Sequence, residues 1–462
     1  MLRDQLERQC QAELDWLTSR RWFGDKARPV IDLRVRLLDS VDTGEQRLLL
    51  ALITFVHEWG EPSTYFVPVL DDDGSSLADR DATAHVDILR WFIEGFHENR
   101  VIEGEGIWRW RTIGGRVPDV SGLADDDIRL ISGEQSNSSI LYGDEAIAKL
   151  YRRVQEGVNP DLEIGEQLMH TGDSANVADL FGVVELEVAG ERIDIAALQQ
   201  FVANIGDGWT WLLGELSQAE QRASLLADVQ LLGTRTGEMH LALANDAGEA
   251  AFTPELIAED QAQAIIRRVI GEMEGSVEGL THFLQPDEIE RLHKGLGLMM
   301  GDAWSMVGTV LIRVHGDYHL GQTLRTTVDD FVIIDFEGEP GRTMDERRQK
   351  LPALKDVAGM VRSLDYAGAT LIQQSDDDCE RADIAAWVKT ASEAFVAAYR
   401  AAISGSPHPL VPEDDEAFAS VLNLMIAEKA LYELRYEMNN RPDWLWIPLE
   451  ALQRLVVPEE VE

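Results

Sequence analysis

The stretch Thr309–Pro340 reads TVLIRVHGDYHLGQTLRTTVDDFVIIDFEGEP. Two runs within it, Thr309–Val314 and Phe331–Ile334, are apolar, rich in β-branched residues and of strand length, so they predict strands. A carboxylate follows each run, Asp317 in His-Gly-Asp and Asp335 in Ile-Asp-Phe. The order strand, loop, short strand, turn, strand therefore places one carboxylate after each of two strands.

The spacing of the polar residues suits in-line phosphoryl transfer. That reaction needs a carboxylate to orient an acceptor hydroxyl and oxygen ligands to hold Mg²⁺. Protein kinases supply them as H-R-D-x-x-x-x-N, followed by an Asp after the next hairpin. By this pattern Asp317 is the predicted base, and Gln322 and Asp335 are the predicted Mg²⁺ ligands; a glycine stands in place of the Arg.

Two other interpretations of this stretch are simpler. The aspartates could be solvated side chains at strand ends, or His315 and His319 could suggest zinc. The glycine between the histidines and their loop context argue against a helix that presents both. Three correctly spaced oxygen ligands favour the phosphoryl-transfer interpretation.

Composition narrows the function classes. The chain of 462 residues has 83 acidic and 41 basic residues, a net charge of -42. This charge excludes non-specific nucleic-acid binding as a main role, because the phosphate backbone would be repelled. No apolar run reaches the roughly 18 residues that predict a membrane span, and the charged, periodic start predicts a cytoplasmic protein. Only seven residues are Lys, which together with the acidic excess suggests adaptation to high salt.

A nucleotide-binding region is predicted from Ile128 onward. Three successive antiparallel strands are expected up to Tyr151. The loop after the first strand carries small hydroxyl and amide side chains that can bind phosphate oxygens, as backbone nests do. Its candidate residues are Ser136, Asn137, Ser138 and Ser139. Lys149 ends Ala-Ile-Ala-Lys, an echo of the kinase V-A-I-K motif whose lysine holds the α and β phosphates.

Further motifs stand in six places along nearly the whole chain. They are Trp22–Lys26, Ser132–Ser139, Asn159–Glu163, HGDYHLGQ with IDFEGEP, Pro352–Tyr366 and Arg441–Trp444. Together they resemble the bacterial maltokinases, relatives of the aminoglycoside phosphotransferases. The resemblance implies an α+β, bilobal protein-kinase-like (aminoglycoside phosphotransferase-like) fold. It divides the chain into an N-terminal cap domain (1–95), a nucleotide-binding N-lobe (96–202) and a helical C-lobe (203–462).

The resemblance also implies a reaction. ATP, with Mg²⁺, would phosphorylate the anomeric hydroxyl of maltose in glycogen or trehalose metabolism. The maltose would come from a trehalose-isomerising enzyme, with which the chain could associate. Glu163 would pair with Lys149, although a first-turn Glu favoured by the helix dipole is an equally good interpretation. Gln200 to Val202 mark the expected backbone contacts to adenine.

The C-lobe is predicted to be helical. Its helices are expected over Trp211–Ala247, Pro254–Glu274, Asp287–Met306 and Pro352–Gln374, with two more near the C-terminus. In the last part of the chain Lys429, Tyr432, Glu433 and Tyr436 share one helix face.

That helix face has two interpretations. The residues alone favour an amphipathic helix with Lys–Glu pairs. With the resemblance, Lys429, Glu433 and Tyr436 are predicted to bind the acceptor sugar. His319 is predicted to join them, and a packed loop histidine is the alternative.

Two rival functions remain from the sequence. The first is another sugar kinase of the same fold, such as a glucosamine kinase, because a few pocket residues decide the acceptor. The second is a catalytically silent kinase-like domain that serves as a partner or scaffold. The presence of Lys149, Asp317 and Asp335 argues against the second.

Overall fold

The structure is a computed structural model that describes residues 2–72, 74–131, 137–171, 176–245, 248–280 and 283–456, apart from the side chains of 277–279, 300, 302 and 303. The chain divides into two compact units. The first comprises residues 1–169 and 178–203, and the second comprises residues 170–177 and 204–462.

The first unit is built mainly from strands. Its helices are α1 (Leu2–Ala12), α2 (Leu14–Ser19), α3 (Val86–Glu98) and α4 (Pro160–Thr171), the last ending in the second unit. Its strands are β1 (Val30–Asp42), β2 (Arg47–His57), β3 (Ser63–Phe66), β4 (Val69–Leu70), β5 (Val101–Glu103), β6 (Ile107–Thr112), β7 (Ile128–Leu130), β8 (Asn137–Tyr142), β9 (Ala146–Tyr151), β10 (Arg153–Val154), β11 (Leu180–Val188) and β12 (Glu191–Gln200).

These strands form two antiparallel sheets. One has the order β1-β2-β3-β10, with β4 paired to β2, and the other has the order β5-β6-β11-β12-β9-β8-β7. The nearly uniform apolar sequence of β2 suits its central place, where most of its side chains are buried. The predicted antiparallel meander of β7, β8 and β9 is confirmed.

A single apolar core joins both sheets and α3. Leu50, Ile93 and Trp108 belong to it, from β2, α3 and β6. Gly95 on α3 makes room for an aromatic side chain, because an added Cβ would lie 2.7 Å from the Trp110 ring. The division of this unit into a cap and a nucleotide-binding lobe stays a prediction.

The second unit is mostly helical. Its strands are β13 (Asn204–Asp207), β14 (Glu255–Leu256), β15 (Val310–Ile312), β16 (Thr323–Thr326), β17 (Phe331–Ile333) and β18 (Leu351–Pro352). Its helices are α5 (Gly208–Leu216), α6 (Arg222–Leu243), α7 (Glu259–Leu280), α8 (Pro286–Asp302), α9 (Met344–Arg347), α10 (Leu354–Gln374), α11 (Asp378–Ala402), α12 (Asp415–Asn440) and α13 (Trp446–Val456). Among the described residues, no helix is both long and apolar enough to span a bilayer.

The order predicted for Thr309–Pro340 is confirmed. β16 pairs antiparallel with β17, with Thr323 opposite Ile333, and β13 completes a three-stranded sheet. β15 lies in a separate small sheet between β14 and β18. The loops that follow β15 and β17 carry Asp317 and Asp335.

Several helix predictions were wrong in their bounds. The helix expected over Trp211–Ala247 is two helices, α5 and α6. It breaks because the Arg222 guanidinium donates to the carbonyl of Leu216, at 3.1 Å, and so closes the end of α5.

Two further helix predictions need correction. The predicted start at Pro254 is wrong, because Glu255–Leu256 pairs with β15 and the helix begins only at Glu259. The C-terminal part contains α11, α12 and α13 rather than two helices. Pro442 opens the short turn that separates α12 from α13.

Candidate active site

A buried carboxylate on α10 holds the loop that carries Asp317. Asp356 accepts hydrogen bonds from the backbone N–H groups of His315, at 2.7 Å, and Gly316, at 2.9 Å. His240 Nε2 donates to the same carboxylate, at 3.1 Å. Burial opposes ionisation of Asp356, but the hydrogen bond and charge of His240 outweigh it and lower the pKa. The base of the loop is therefore fixed by a charge that lies inside the unit.

The two predicted catalytic loops are tied to each other. His315 Nε2 donates to the carbonyl of Ile334, at 2.9 Å, because that oxygen can only accept. The bond uses Nε2 as an N–H donor, and so it ties the loop of Asp317 to the loop of Asp335. Gly316 and Asp335 both have left-handed backbone, with φ of 86° and 67°. This conformation is uncommon for a residue other than Gly and marks Asp335 as specially oriented.

The structure brings the two predicted Mg²⁺ ligands together. The Gln322 amide donates to Asp335 Oδ2, at 3.1 Å. The backbone N–H of Ile334 also donates to the backbone carbonyl of Gln322, at 3.0 Å. A carboxylate and an amide are hard oxygen donors of the kind that Mg²⁺ prefers. These residues therefore fit the ion, and their role as its ligands stays a prediction.

Lys429 contacts the predicted base. Its Nζ lies 3.2 Å from Asp317 Oδ1 and 3.5 Å from Glu339 Oε1. Burial opposes the charge of Lys429, but Asp317, Glu339 and Glu433 attract it and raise its pKa. The lysine is therefore charged at neutral pH. The sequence predicted Lys429 as a residue for the sugar, and the structure also gives it a place beside Asp317.

Glu339 is the centre of a buried ion cluster that sequence reasoning did not find. Its oxygens lie 2.5 Å from Arg342 Nε and 3.8 Å from Lys355 Nζ, besides the contact with Lys429. Burial would raise the pKa of Glu339, but the charges of Lys355, Lys429 and Arg342 lower it to about 2. The Glu-Gly-Glu-Pro sequence was the available signal, yet only the fold shows which cations meet it.

Two carboxylates of α12 have polar partners: Glu433, on the predicted sugar-binding face, and Glu437, one turn further along the helix. Glu433 accepts from Arg362, which is fully buried, at 2.9 Å. Glu437 accepts from the Tyr366 hydroxyl, at 3.1 Å, and from Arg441, at 2.6 Å. Burial raises the pKa of Glu433, and Arg362 only partly offsets it. Glu433, on the predicted face, and Glu437, one turn further along α12, therefore each have an arginine partner.

Aromatic rings continue the same face. Tyr436 is 47% exposed. The Arg441 guanidinium lies over the rings of Tyr436, at 5.6 Å, and Trp444, at 5.3 Å. Trp444 is in turn almost parallel to Tyr366, with ring centres 6.5 Å apart. Flat aromatic surfaces of this kind suit the apolar faces of sugar rings.

His319 closes the turn after the predicted base. Its Nδ1 accepts from the backbone N–H of Gly321, at 3.1 Å, so the side chain caps a short helical turn. Burial lowers the pKa of His319, and the ring is neutral at pH 7. The packed-histidine alternative describes this geometry, and a contact with sugar stays a prediction.

In the first unit Lys149 has a buried partner on α4. Its Nζ donates to Asp161 Oδ2, at 3.3 Å, and the Tyr151 hydroxyl donates to the same oxygen, at 2.9 Å. The resemblance pointed instead to Glu163, two residues later, whose pairing with Lys149 stays a prediction. Asp161 was missed because Asn159-Pro160-Asp161 was interpreted only as a helix start.

The predicted phosphate loop differs from its expected form. Ser136 lies outside the described residues, and Asn137, Ser138 and Ser139 belong to strand β8 rather than to a loop. Ser138 is buried and its hydroxyl accepts from Arg152 Nε, at 2.8 Å. That hydroxyl is therefore turned into the protein, and a nucleotide role for Ser138 stays a prediction. A nucleotide role for Asn137 and Ser139 stays a prediction.

The expected adenine segment follows β12. The backbone N–H of Gln200 already donates to the Asp179 carbonyl, at 2.8 Å. This N–H is therefore not available to adenine. The adenine contacts of Gln200 and Val202 stay predictions.

Two relatives of this chain are named glucosamine kinases. No family model matches it. The glucosamine kinase of Streptacidiphilus jiangxiensis is 28% identical over 341 residues, which are 71% of this chain and 73% of that protein. The glucosamine kinase of Mycolicibacterium smegmatis is 26% identical over 333 residues, 71% of this chain and 79% of that protein.

Solved structures show the same fold. A glucosamine kinase in complex with glucosamine, ADP and inorganic phosphate aligns with a TM-score of 0.69 and 22% identity, over 95% of this chain and 96% of that one. The predicted α+β, bilobal protein-kinase-like fold is confirmed, and the separate N-terminal cap domain stays a prediction.

Proposed function

We propose that the chain is an ATP-dependent sugar kinase. The observation that carries this proposal is the placement of Asp317 on a loop fixed by Asp356 and tied by His315 to the loop of Asp335. Two relatives named glucosamine kinases support it, as does the likeness to a structure that holds a sugar and ADP.

The chain's own residues divide the work of transfer. Asp317 accepts the proton of the attacking sugar hydroxyl, and Lys429 holds this carboxylate in place from α12. Lys149, kept in position by Asp161, contacts the nucleotide phosphates. Gln322 and Asp335 would hold Mg²⁺, which when bound neutralises charge on the phosphates. Positioning and electrostatics supply most of the catalysis in this type of reaction, so the chain needs no covalent intermediate.

The proposed acceptor is maltose, phosphorylated at its anomeric hydroxyl. The motifs of the chain resemble those of maltokinases, and the proposed acceptor face of α12 fits a neutral sugar. Glu433 and Glu437 already have arginine partners, and Lys429 adds a positive charge beside Asp317. A sugar that carries an ammonium group would need a carboxylate that is not already neutralised. The place in glycogen or trehalose metabolism and the association with a trehalose-isomerising enzyme rest on the resemblance.

Glucosamine is the second candidate acceptor. The names of the two relatives favour it, and acceptor choice can change through a few pocket residues without a change of fold. The charge pattern of α12 and the names of the relatives therefore point to different sugars.

An ADP-release assay over maltose, glucosamine and glucose separates these possibilities. The proposal predicts the highest kcat/KM for maltose, with a phosphorus NMR signal of a phosphate on the anomeric carbon. A higher kcat/KM for glucosamine would overturn the choice of maltose and leave the sugar-kinase proposal standing. ADP release with none of the sugars would contradict both.

A further inference from the structure

The second unit has a pocket of about 370 Å³ behind the predicted acceptor face. It lies among α10, α11, α12 and α13, with apolar residues such as Val388 and Ile447 in its wall. This volume falls in the range of small-molecule sites, roughly 300–1,000 Å³. The helix α10 turns Arg362 and Tyr366 toward α12, whereas Val361, Asp365 and Gly368 line this pocket. The α10 residues that line the pocket therefore differ from those that contact Glu433 and Glu437.

The lining of the pocket combines an aromatic ring with polar groups of both charges. Trp446 is partly exposed and lines it. Three carboxylates, Asp365, Glu393 and Glu450, lie with two cations, Lys389 and Arg454. The buried Arg362 also donates to Asp365 Oδ2 through Nη1, at 2.6 Å. The lining therefore has three carboxylates against two cations, so it offers polar groups of both signs to a ligand with many hydroxyl groups and disfavours an anion.

We propose that this pocket is a second carbohydrate site that binds a neutral mono- or disaccharide. The ring of Trp446 offers a flat apolar surface for one face of a sugar ring. Carboxylates accept hydrogen bonds from sugar hydroxyls, and Arg454 and Lys389 donate to them. The pocket thus supplies each kind of group that a neutral sugar requires. The proposal does not depend on which sugar the chain phosphorylates.

A short chain of ion pairs joins this pocket to the acceptor face. Asp365 Oδ2 accepts from Arg454, at 2.7 Å, and from Arg362, at 2.6 Å. Arg362 in turn donates to Glu433 on α12. A sugar that hydrogen-bonds to Arg454 in place of Asp365 leaves Arg362 as the partner of Asp365. The hydrogen bond from Arg362 to Glu433 then changes. This coupling, unlike the binding itself, rests on the proposed function.

Binding is tested by calorimetry with methyl α-maltoside, whose blocked anomeric position cannot accept phosphate. The proposal predicts a saturable complex whose Kd rises at least ~10-fold in Arg454→Gln and in Trp446→Ala, because each loses a direct contact. Arg454 is 62% exposed, so its substitution leaves the fold intact. The matched controls Arg267→Gln and Trp304→Ala replace other exposed residues of this unit and should leave Kd unchanged. Asp317→Asn should also leave it unchanged.

Each other outcome overturns the proposal. No binding at millimolar probe, or a Kd that neither Arg454→Gln nor Trp446→Ala changes, removes the site. A Kd that rises only in Asp317→Asn places the probe at the acceptor face instead. Because calorimetry needs no turnover, its result can be judged even if the kinase assay fails.

The coupling has its own readout. In the active enzyme methyl α-maltoside should shift the KM for the acceptor sugar, and Arg454→Gln should remove this shift. Simple competition at the acceptor face would persist in Arg454→Gln and would contradict the coupling.

Discussion

At the scale of single residues, the candidate site depends on charges that are paired before any substrate binds. Asp317 has Lys429 and Asp335 has the amide of Gln322. The left-handed backbone of Asp335 carries a cost of about 1–3 kcal/mol, which the surrounding structure must offset. A residue kept in such a conformation is a candidate for function rather than for stability.

Asp335→Ala should reduce turnover to near background at ordinary Mg²⁺. The phosphate charge then lacks the carboxylate that fixes its counter-cation. A steady-state assay at saturating ATP measures the loss, and Asp376→Ala, in an exposed acidic loop, is the control. Retention of most of the activity by Asp335→Ala would show that Asp335 is not the metal ligand.

Glu339→Gln should lower the stability of the fold at neutral pH and make that stability depend less on pH. The pKa of Glu339 falls from an ordinary value of 4.5 to about 2. A carboxylate with a depressed folded-state pKa stabilises the protein above its unfolded value and loses that effect as pH falls toward the folded one. The variant should therefore lose on the order of 3 kcal/mol of unfolding free energy at neutral pH.

The gap between wild type and Glu339→Gln should narrow as pH falls below 4.5. Urea unfolding at a series of pH values measures it. Glu290→Gln, at an exposed position on α8, controls for the loss of one negative charge. A gap that does not change with pH would mean that ionisation of Glu339 does not stabilise the fold.

Motif spacing predicted Asp317, Gln322, Asp335 and Lys149 because local sequence determines which strand or loop carries them. It did not predict Asp161 as a partner of Lys149, nor Asp356 as the support of the loop. Those contacts join residues 12 and 41 positions apart. Such pairings follow from the packing of elements, and no pattern within one element indicates them.

At the scale of elements, α10 organises the candidate site. Asp356 on this helix holds the backbone of His315 and Gly316, and the Ser363 hydroxyl accepts from the backbone N–H of Leu320, at 3.1 Å. The loop approaches so closely that an added Cβ on Gly359 would lie 2.4 Å from the Tyr318 carbonyl oxygen. One helix thus fixes the loop before and after the predicted base.

Asp356→Asn should disturb both stability and turnover. The amide keeps the shape but turns an N–H₂ group toward one of the three donors, so a buried donor loses its acceptor. We expect a loss of about 1.5–3 kcal/mol in unfolding free energy and at least a ~10-fold lower kcat, because the loop shifts. Urea unfolding and kcat on one preparation test this, with exposed Asp383→Asn on α11 as the control. Wild-type stability and kcat in Asp356→Asn would show that the loop of Asp317 keeps its conformation without the Asp356 carboxylate.

Element types were predicted more reliably than their ends. The hydrophobic period indicated helix on both sides of Leu216 but contained no sign that Arg222, the first residue of α6, would donate to the carbonyl of Leu216. The short pairing of Glu255–Leu256 with β15 likewise depends on a partner that is far away in the chain.

At the scale of the whole molecule, the positions of the lysines leave the surface with few positive charges from lysine. Four of the seven lysines have carboxylate partners and little exposed side chain: Lys149, Lys350, Lys355 and Lys429. Surface neutralisation therefore falls mainly to arginine, against 83 acidic residues. Self-repulsion of this kind destabilises a compact fold at low ionic strength.

The melting temperature should rise between low salt and about 1 M KCl, because screening reduces the repulsion among surface carboxylates. Calorimetry over a KCl series measures this rise. An uncharged osmolyte at matched osmolality is the control for general exclusion effects. A melting temperature that does not change with KCl would refute salt adaptation.

The order of motifs along the chain was enough to predict a nucleotide-binding region followed by a helical catalytic one. It did not indicate that strands and α3 of the first 95 residues share one core with the sheet that follows. A shared core forms from many weak apolar contacts between distant segments, and these leave no compact motif in the sequence.

The most direct test of the account is Asp317→Asn, with melting temperature, ATP binding and kcat for the acceptor sugar measured on one preparation. The amide keeps the shape of the side chain but cannot take the proton of the sugar hydroxyl. We predict a folded protein with near wild-type ATP affinity and a kcat lower by ~10²–10⁴-fold. A variant that folds, binds ATP and turns over the sugar at the normal rate would remove Asp317 from the mechanism, and one that unfolds would show that the residue is structural.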